Sequence, residues 1–460
     1  MKNHTALALI SVLTLSAHCV YARETVTSVG IGTGFDYSNR VYDDSEIEDE
    51  RVPPPQDERG QIIVTPVMSV FTETTDDSAL LSYQPTLGYD VMDSESNDIN
   101  HEALVGYHRE LTDIWDLKIY DVFKDTDEYE TNSSQQDYLS DGFLDELTSS
   151  IPSMNNSLRD DFGRRRYSLN EFDISTGLTY YNKNRLVLGY GWDHLDYDED
   201  DTDSDTYQNY DKYNMSLALS HEINPLWTVK GYTQYVRGVY DTDDLTDDDL
   251  DEYHLGSTLT TDIIESHPMM LSYDFSESNY DDEDIDNSQI HKLTLGYQLI
   301  TTSLFDISLG AGPTYTKMSD SIDSWDANGY FNVSLKTGRG SLKLVSDIGT
   351  QFDNFSGTDE RALTDYWQSR LELTYPIERS LTSSVYCGYR DETRNEVATD
   401  TEVDIDKVSA GAGLNYQITD NLDAGLSYDF TDQESDSSED SDDEHRVQLM
   451  FSFKTDLLKW

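Results

Sequence analysis

Apolar or aromatic side chains recur at every second position from soon after residue 25 to the C-terminus, in stretches of about ten residues. Leu293, Leu295, Tyr297 and Leu299 alternate with Lys292, Thr294, Gly296 and Gln298. Val447, Leu449, Phe451 and Phe453 alternate with Arg446, Gln448, Met450 and Ser452. A period of two puts one set on each face of a strand. The polar set carries Lys, Arg, Asp and Gln, too wet for a packed soluble core. Apolar outside and polar inside predicts an all-β, transmembrane antiparallel β-barrel.

The stretches number about twenty, 18–20 allowing for a weak second strand near Ile62 to Thr72. The first runs through Thr27, Val29, Ile31, Thr33, Phe35 and Tyr37, with Gly30, Gly32 and Gly34 opposite. Short similar turns join later pairs: Leu111-Thr112-Asp113-Ile114-Trp115, Ile223-Asn224-Pro225-Leu226-Trp227 and Ile418-Thr419-Asp420-Asn421-Leu422. Asp, Asn, Thr and Pro are turn formers, and the flanking Trp or Leu restarts the apolar face. The opposite connections are longer and acidic, as at Asp198 to Asp205, Asp241 to Glu252, Asp281 to Asn287 and Ser435 to Glu444. Short turns are expected on the periplasmic side and long acidic loops outside the cell. Aromatic girdles are expected at Trp115, Trp227, Phe305, Tyr375 and Tyr416 on the turn side. Tyr89, Trp192, Tyr213, Tyr253, Tyr315 and Tyr389 form the loop-side set.

Composition alone suggests disorder, since only 36% of 460 residues are hydrophobic and the formal net charge is -60. The 11% aromatic content, led by 32 Tyr, and only 10 Pro argue for strands instead. Residues 1–22 read as a secretory signal peptide: Lys2, the apolar run Ala6 to Ala17, and a small-x-small cleavage site at Val20-Tyr21-Ala22. Residues 23–460 are then the barrel. A lipoprotein anchored through Cys19 is the alternative, which the bulky His18 fits poorly. Cleavage at Ala22 leaves Cys387 alone, so no internal disulfide is expected. No apolar run approaches the roughly 18 residues of a spanning helix. The C-terminal Trp460, after Phe451 and Phe453, is similar to the signal read by the barrel-assembly machinery. It is out of step with Phe453, which implies either a short tail or a bulge in the last strand.

A barrel this wide holds water or a plug. The first strand begins almost at the expected mature N-terminus, which leaves no room for a plug domain. The largest insert, 125–166, is the expected constriction, with an amphipathic stretch from Tyr138 to Leu147. Arg164, Arg165 and Arg166 at its end line an anion path or pair with neighbouring Asp and lipopolysaccharide phosphates. Alternation puts Gln351, Thr364, Tyr366, Gln368, Arg370, Glu372 and Thr374 in the lumen. It also puts there Lys336, Lys343, Asp347, Glu171, Asp173, Lys230, Gln234, Asp262 and Asp274. Mixed charge with Tyr and Gln suits a sugar polymer and equally a nonspecific aqueous channel.

Asp282, Asp284 and Asp286 open like a calcium loop, but Asn287 and Leu293 stand where Gly and Glu are required. The acidic loops are therefore read as a solvated collar, and no metal or cofactor is expected. The chain lacks the HExxH and GxSxG motifs. His194 beside Trp192 and His254 beside Tyr253 read as structural strand-end residues, so no enzyme is expected. Nor is a nucleic-acid partner.

The N-terminal half resembles the β-barrel porins encoded beside exopolysaccharide production and secretion genes in Gram-negative bacteria, on residues that lie in about the first quarter of the chain. The Gly-rich first strand running into Phe35-Asp36-Tyr37-Ser38-Asn39, then Thr65-Pro66, Tyr83-Gln84-Pro85, His101 and Leu111-Thr112-Asp113, carry the resemblance. It implies an outer-membrane barrel that exports a polysaccharide, working with periplasmic export proteins among outer-membrane lipids and lipopolysaccharide. The very acidic exterior departs from what an acidic polymer would need. A general or sugar-selective diffusion porin, and a surface adhesive barrel with cation-binding loops, are the alternatives.

Overall fold

The computed structural model describes residues 24–42, 56–92, 97–126, 166–181, 183–197, 208–241, 249–264, 267–281, 287–302, 304–319, 323–355, 362–396, 401–436 and 441–459. The signal-peptide segment, the stretch 127–165, Asp282 to Asp286 and Trp460 lie outside them. Twenty antiparallel strands form one closed sheet in which each pairs with its sequence neighbours, and β1 (Glu24–Tyr42) pairs with β20 (Asp442–Lys459). The other strands that bear on the site are β4 (Asp98–Thr112), β5 (Trp115–Thr126), β6 (Tyr167–Tyr180) and β8 (Asn209–Asn224). Around the wall follow β9 (Trp227–Asp241), β10 (Leu250–Thr261), β11 (Met269–Tyr280), β12 (Ser288–Thr302) and β13 (Phe305–Met318). The far side is made by β14 (Ser324–Thr337), β15 (Gly340–Asp353), β16 (Ala362–Glu378), β17 (Leu381–Glu396), β18 (Thr401–Thr419) and β19 (Leu422–Ser435). The weak second strand is regular, spanning Gln56–Glu73.

The turn side is built by local chemistry. Two-residue turns at Asp113-Ile114, Pro225-Leu226 and Asp420-Asn421 each follow a register shift in the preceding strand. Thr112 Oγ1, Asn224 Oδ1 and Thr419 Oγ1 each accept the backbone N–H two residues on, at 3.4, 2.9 and 3.3 Å. These side chains satisfy turn donors that the ladder leaves free. The out-of-step C-terminus is a bulge: Thr27 pairs with Leu458 but Ser28 with Asp456, which leaves Leu457 extra.

The apolar phase faces outward and is exposed along the wall, as at Leu188, Met215, Leu271, Leu295, Leu371 and Leu449. Both sets of girdle aromatics fall on this outward phase, including Trp115, Tyr375 and Tyr416 at the turn end and Tyr89 and Tyr253 at the loop end. An arginine in the middle of this belt is costly and one on the inner face is not. Leu295→Arg should therefore lower barrel stability by about 2–4 kcal/mol, and Gln298→Arg far less. Denaturant unfolding in lipid vesicles measures both; equal losses would put the belt on the wrong face.

Candidate functional site: the lumen and its mouth

The opposite phase faces a lumen. Lys343 pairs with Glu372, Val345 with Arg370 and Asp347 with Gln368 across β15 and β16. Gln368 Nε2 donates to Asp347 Oδ1 at 3.0 Å, and Arg390 Nη1 to Gln368 Oε1 at 3.2 Å. Arg370 Nε donates to Glu372 Oε1 at 2.7 Å, and its guanidinium lies 4.1 Å from the centre of the Tyr386 ring. Arg390 pairs with Glu392 and lies over Tyr366. Glu171 and Asp173 share the inner face with Asp193, whose carboxylate holds Lys212 Nζ at 3.1 Å. Lys230, Lys336 and Lys343 stand exposed on the inward phase close to the turn side. Arg370–Glu372, Arg390–Glu392 and Lys212–Asp193 are ion pairs, so charges of both signs and hydrogen-bonding groups share this wall.

Arg166 makes the neighbouring-Asp contacts of its second reading, and Asp262 falls outside the strand that was to carry it into the lumen. Arg166 sits one residue before β6 at the loop-side rim. Its Nε donates to Asp125 at 2.8 Å and its Nη2 to the Ile99 carbonyl at 2.7 Å, and it pairs with Asp98. It ties the ends of β4, β5 and β6 together at the rim. Arg164 and Arg165 lie outside the described residues. Asp262 falls just past the end of β10, exposed in the turn, with its N–H donating to the Leu226 carbonyl at 2.9 Å.

Inward tyrosines lie flat on the wall. Tyr232 on β9 faces Gly256 on β10, and its hydroxyl crosses that glycine to donate to Asp274 on β11 at 3.2 Å. Tyr386 on β17 crosses Gly411 on β18 to reach Asp429 on β19 at 2.7 Å. A Cβ on Gly256 or Gly411 would overlap the tyrosine ring, so glycine is what keeps these rings out of the channel. Gly256→Leu should push Tyr232 off the wall, break its bond to Asp274 and cost roughly 1–3 kcal/mol of overpacking. Planar-bilayer conductance should fall as well; an unchanged current would mean that Tyr232 stays flat.

The loop-side mouth is narrowed by β15 itself. The β14–β15 ladder stops at Gly329–Ile348, whereas β13–β14 runs on to Thr316–Ser324 and β15–β16 to Asp353–Ala362. Beyond Ile348 the strand leaves the wall and turns inward. A Cβ on Gly349 would lie 3.8 Å from Lys292 Nζ of β12. Past the strand end, Asn354 reaches β9, β10 and β11 across the lumen. Its Nδ2 donates to Glu252 Oε1 at 2.6 Å and Ser278 Oγ at 3.2 Å. Tyr280 and Tyr240 donate to its Oδ1 and backbone carbonyl, both at 2.6 Å. Phe355 packs edge-on against Tyr210 at 5.5 Å between ring centres and stacks with Tyr240, and Lys212 Nζ lies 4.9 Å from its centre. Phe355, Tyr210 and Glu252 are buried in what would otherwise be open channel.

The inward bend explains a break in the alternation. Thr350, Leu363 and Asp365 fall on the outward phase, yet Thr350 and Leu363 are buried and Asp365 accepts from the Thr350 hydroxyl. Inner-face Thr314, Thr316 and Ile290 are buried as well, although their neighbours line water. The constriction expected in 125–166 falls almost wholly outside the described residues; Asn354 and Phe355 were not expected from the sequence. Asp365 is a carboxylate at a lipid-facing register, a signal it shares with Asp391 and Asp121.

Closed antiparallel sheet, apolar exterior and hydrated interior define a β-barrel of the kind found in outer-membrane porins. No protein-family model matches the chain, and no curated protein matches it. Solved structures do. The ferric enterobactin receptor PfeA of Pseudomonas aeruginosa, in a mutant form bound to enterobactin, is similar with a TM-score of 0.52 at 8% identity, over 94% of this chain and 81% of that one. The siderophore receptor PirA of Pseudomonas aeruginosa gives a TM-score of 0.49 at 10% identity, over 93% and 80%. OpdQ of Pseudomonas aeruginosa gives 0.42 at 13% identity, over 94% and 98%. At such identities the likeness is one of fold alone.

Proposed function

We propose that the protein is a diffusion channel for small hydrophilic solutes in an outer membrane, with access from outside limited by the Asn354–Phe355 bar. The observation that carries this reading is the inward face: paired charges, amides and tyrosines pressed flat, which leave a water-filled path. Arg370 over Tyr386 and Arg390 over Tyr366 offer flat surfaces and hydrogen bonds that suit sugars among such solutes. Export of a polysaccharide rests on the resemblance of the N-terminal half, and a bar held by several hydrogen bonds across the mouth weighs against a threading polymer. The barrel is read as a conduit without catalysis or bound cofactor. Lipopolysaccharide around its outer rim and the barrel-assembly machinery are its proposed partners.

Reconstitution in planar bilayers and in liposomes swollen with sugars of graded size tests the reading. Steady conductance with entry of mono- and disaccharides is expected. A closed, nonconducting barrel would sink it. A deletion strain with altered surface polysaccharide and normal solute uptake would restore export.

A further inference from the structure

Resting on the channel reading, we infer that the loop-side end of β15 is a gate with two seats, one across the lumen and one in the barrel wall. The observation is the unzipped ladder. Continuing the register from Gly329–Ile348 would pair Asn328 with Gly349, Ala327 with Thr350, Asp326 with Gln351, Trp325 with Phe352, and Ser324 with Asp353. Ser324 is the first residue of β14 and Asp353 the last of β15, so the two free segments end flush. Both are already extended, each held by its other neighbour, β13 or β16. Two strands of equal length, in register and in strand conformation, can pair when the β15 end swings back together with the β16 segment to which it stays bonded.

The side chains fit the wall seat as well as the lumen seat. Zipped, Gly349, Gln351 and Asp353 would face the lumen beside Asn328, Asp326 and Ser324, all polar or small. Thr350 and Phe352 would face outward beside Ala327 and Trp325. Phe352 would then extend the loop-side girdle at Trp325, which packs on Tyr315 with ring centres 5.0 Å apart. A segment meant only to fill the lumen has no reason to keep this alternation. Glycines at 329 and 349 flank the point where the ladder parts, where a bend is least hindered.

The two seats exchange comparable contacts. Leaving the lumen breaks the Asn354 bonds to Glu252, Ser278, Tyr280 and Tyr240 and uncovers Phe355. Joining the wall restores five residue pairs of ladder. Losses and gains of similar kind are what a two-position element requires. The lumen-seated contacts are buried, so exchange uncovers the Phe355 ring and the faces of Tyr210 and Tyr240 it covers, while the polar groups released by Asn354 pass to water in the channel.

Cysteine pairs in a Cys19→Ser, Cys387→Ser background test the two seats. Ala327→Cys with Thr350→Cys reports the wall seat, and Asp326→Cys with Gln351→Cys is its second reporter. Ser278→Cys with Asn354→Cys reports the lumen seat. Folding of each variant is checked by heat-modifiable migration. Both seats should cross-link in the folded barrel. The wall bond should fix a higher conductance and the lumen bond a lower one, with dithiothreitol restoring the starting current. A folded barrel in which neither wall pair ever bonds, or whose wall bond leaves the current unchanged, would overturn the gate. If both seats cross-link and no variant conducts, the two positions stand and the channel reading fails instead.

Discussion

Removing the bar should open the channel: Asn354→Ala with Phe355→Ala is expected to raise single-channel conductance roughly two- to threefold, because current follows the free aqueous cross-section at the narrowest point. The hydrogen bonds and ring contacts described for the bar run through these two residues. Asn354 uses its amide, its side-chain oxygen and its backbone carbonyl on three different strands, and Phe355 fills the space between Tyr210 and Tyr240. Neither residue belongs to the sheet, so the ladder is untouched, but both are buried and the lost packing of Phe355 on Tyr210 and Tyr240 should lower thermal stability. Tyr240→Phe is the graded control. It removes one donor to the Asn354 carbonyl, worth about 0.5–1.5 kcal/mol, and should loosen the bar without abolishing it. Bilayer recordings and liposome swelling with larger sugars read both variants. An unchanged current and size cut-off in the double variant would place the constriction elsewhere in the barrel.

That constriction was the part of the site least legible in the sequence. The barrel itself was plain because strand geometry writes its two faces into every second residue, from Ile31 and Phe35 to Leu449 and Phe451. The turns were plain because Thr112, Asn224 and Thr419 act on backbone two residues away. Inner-face residues such as Asp347, Gln368 and Arg370 followed from the same alternation, and register then brought them together. The bar depends on where one strand leaves its neighbour, a tertiary event with no local period. Length drew attention to 125–166, which lies mostly outside the described residues, and Asp365 was one of several carboxylates, with Asp121 and Asp391, on the lipid-facing phase. Charge alone left Arg166 with two readings: three basic residues in a row say nothing about phase, and the side chain finds neighbouring acids at the rim.

The largest loss of stability is expected at the junction of β1 and β20. Every other neighbouring pair in the barrel is joined by a turn or a loop, whereas this one is held by the ladder and its side chains alone. Arg40 on β1 meets Asp442 on β20 through two parallel bonds, Nε to Oδ2 at 2.7 Å and Nη2 to Oδ1 at 3.0 Å. Their side chains are 5% and 7% exposed, so water does little to relieve either charge if its partner is lost. A second contact follows further in, where Asp36 accepts from Arg446 and from Gln448, the latter at 3.1 Å. Arg40→Ala leaves the Asp442 carboxylate buried, and about 3–5 kcal/mol is the expected cost of breaking such a pair from one side. Arg40→Ala with Asp442→Ala should recover much of that loss, since removing both charges removes the desolvation penalty along with the attraction. Urea unfolding followed by tryptophan fluorescence, together with the temperature of heat-modified migration, gives both numbers. If the single variant is no less stable than the double, the seam is held by its backbone ladder and the bulge at Leu457, and the ion pair is incidental to closure.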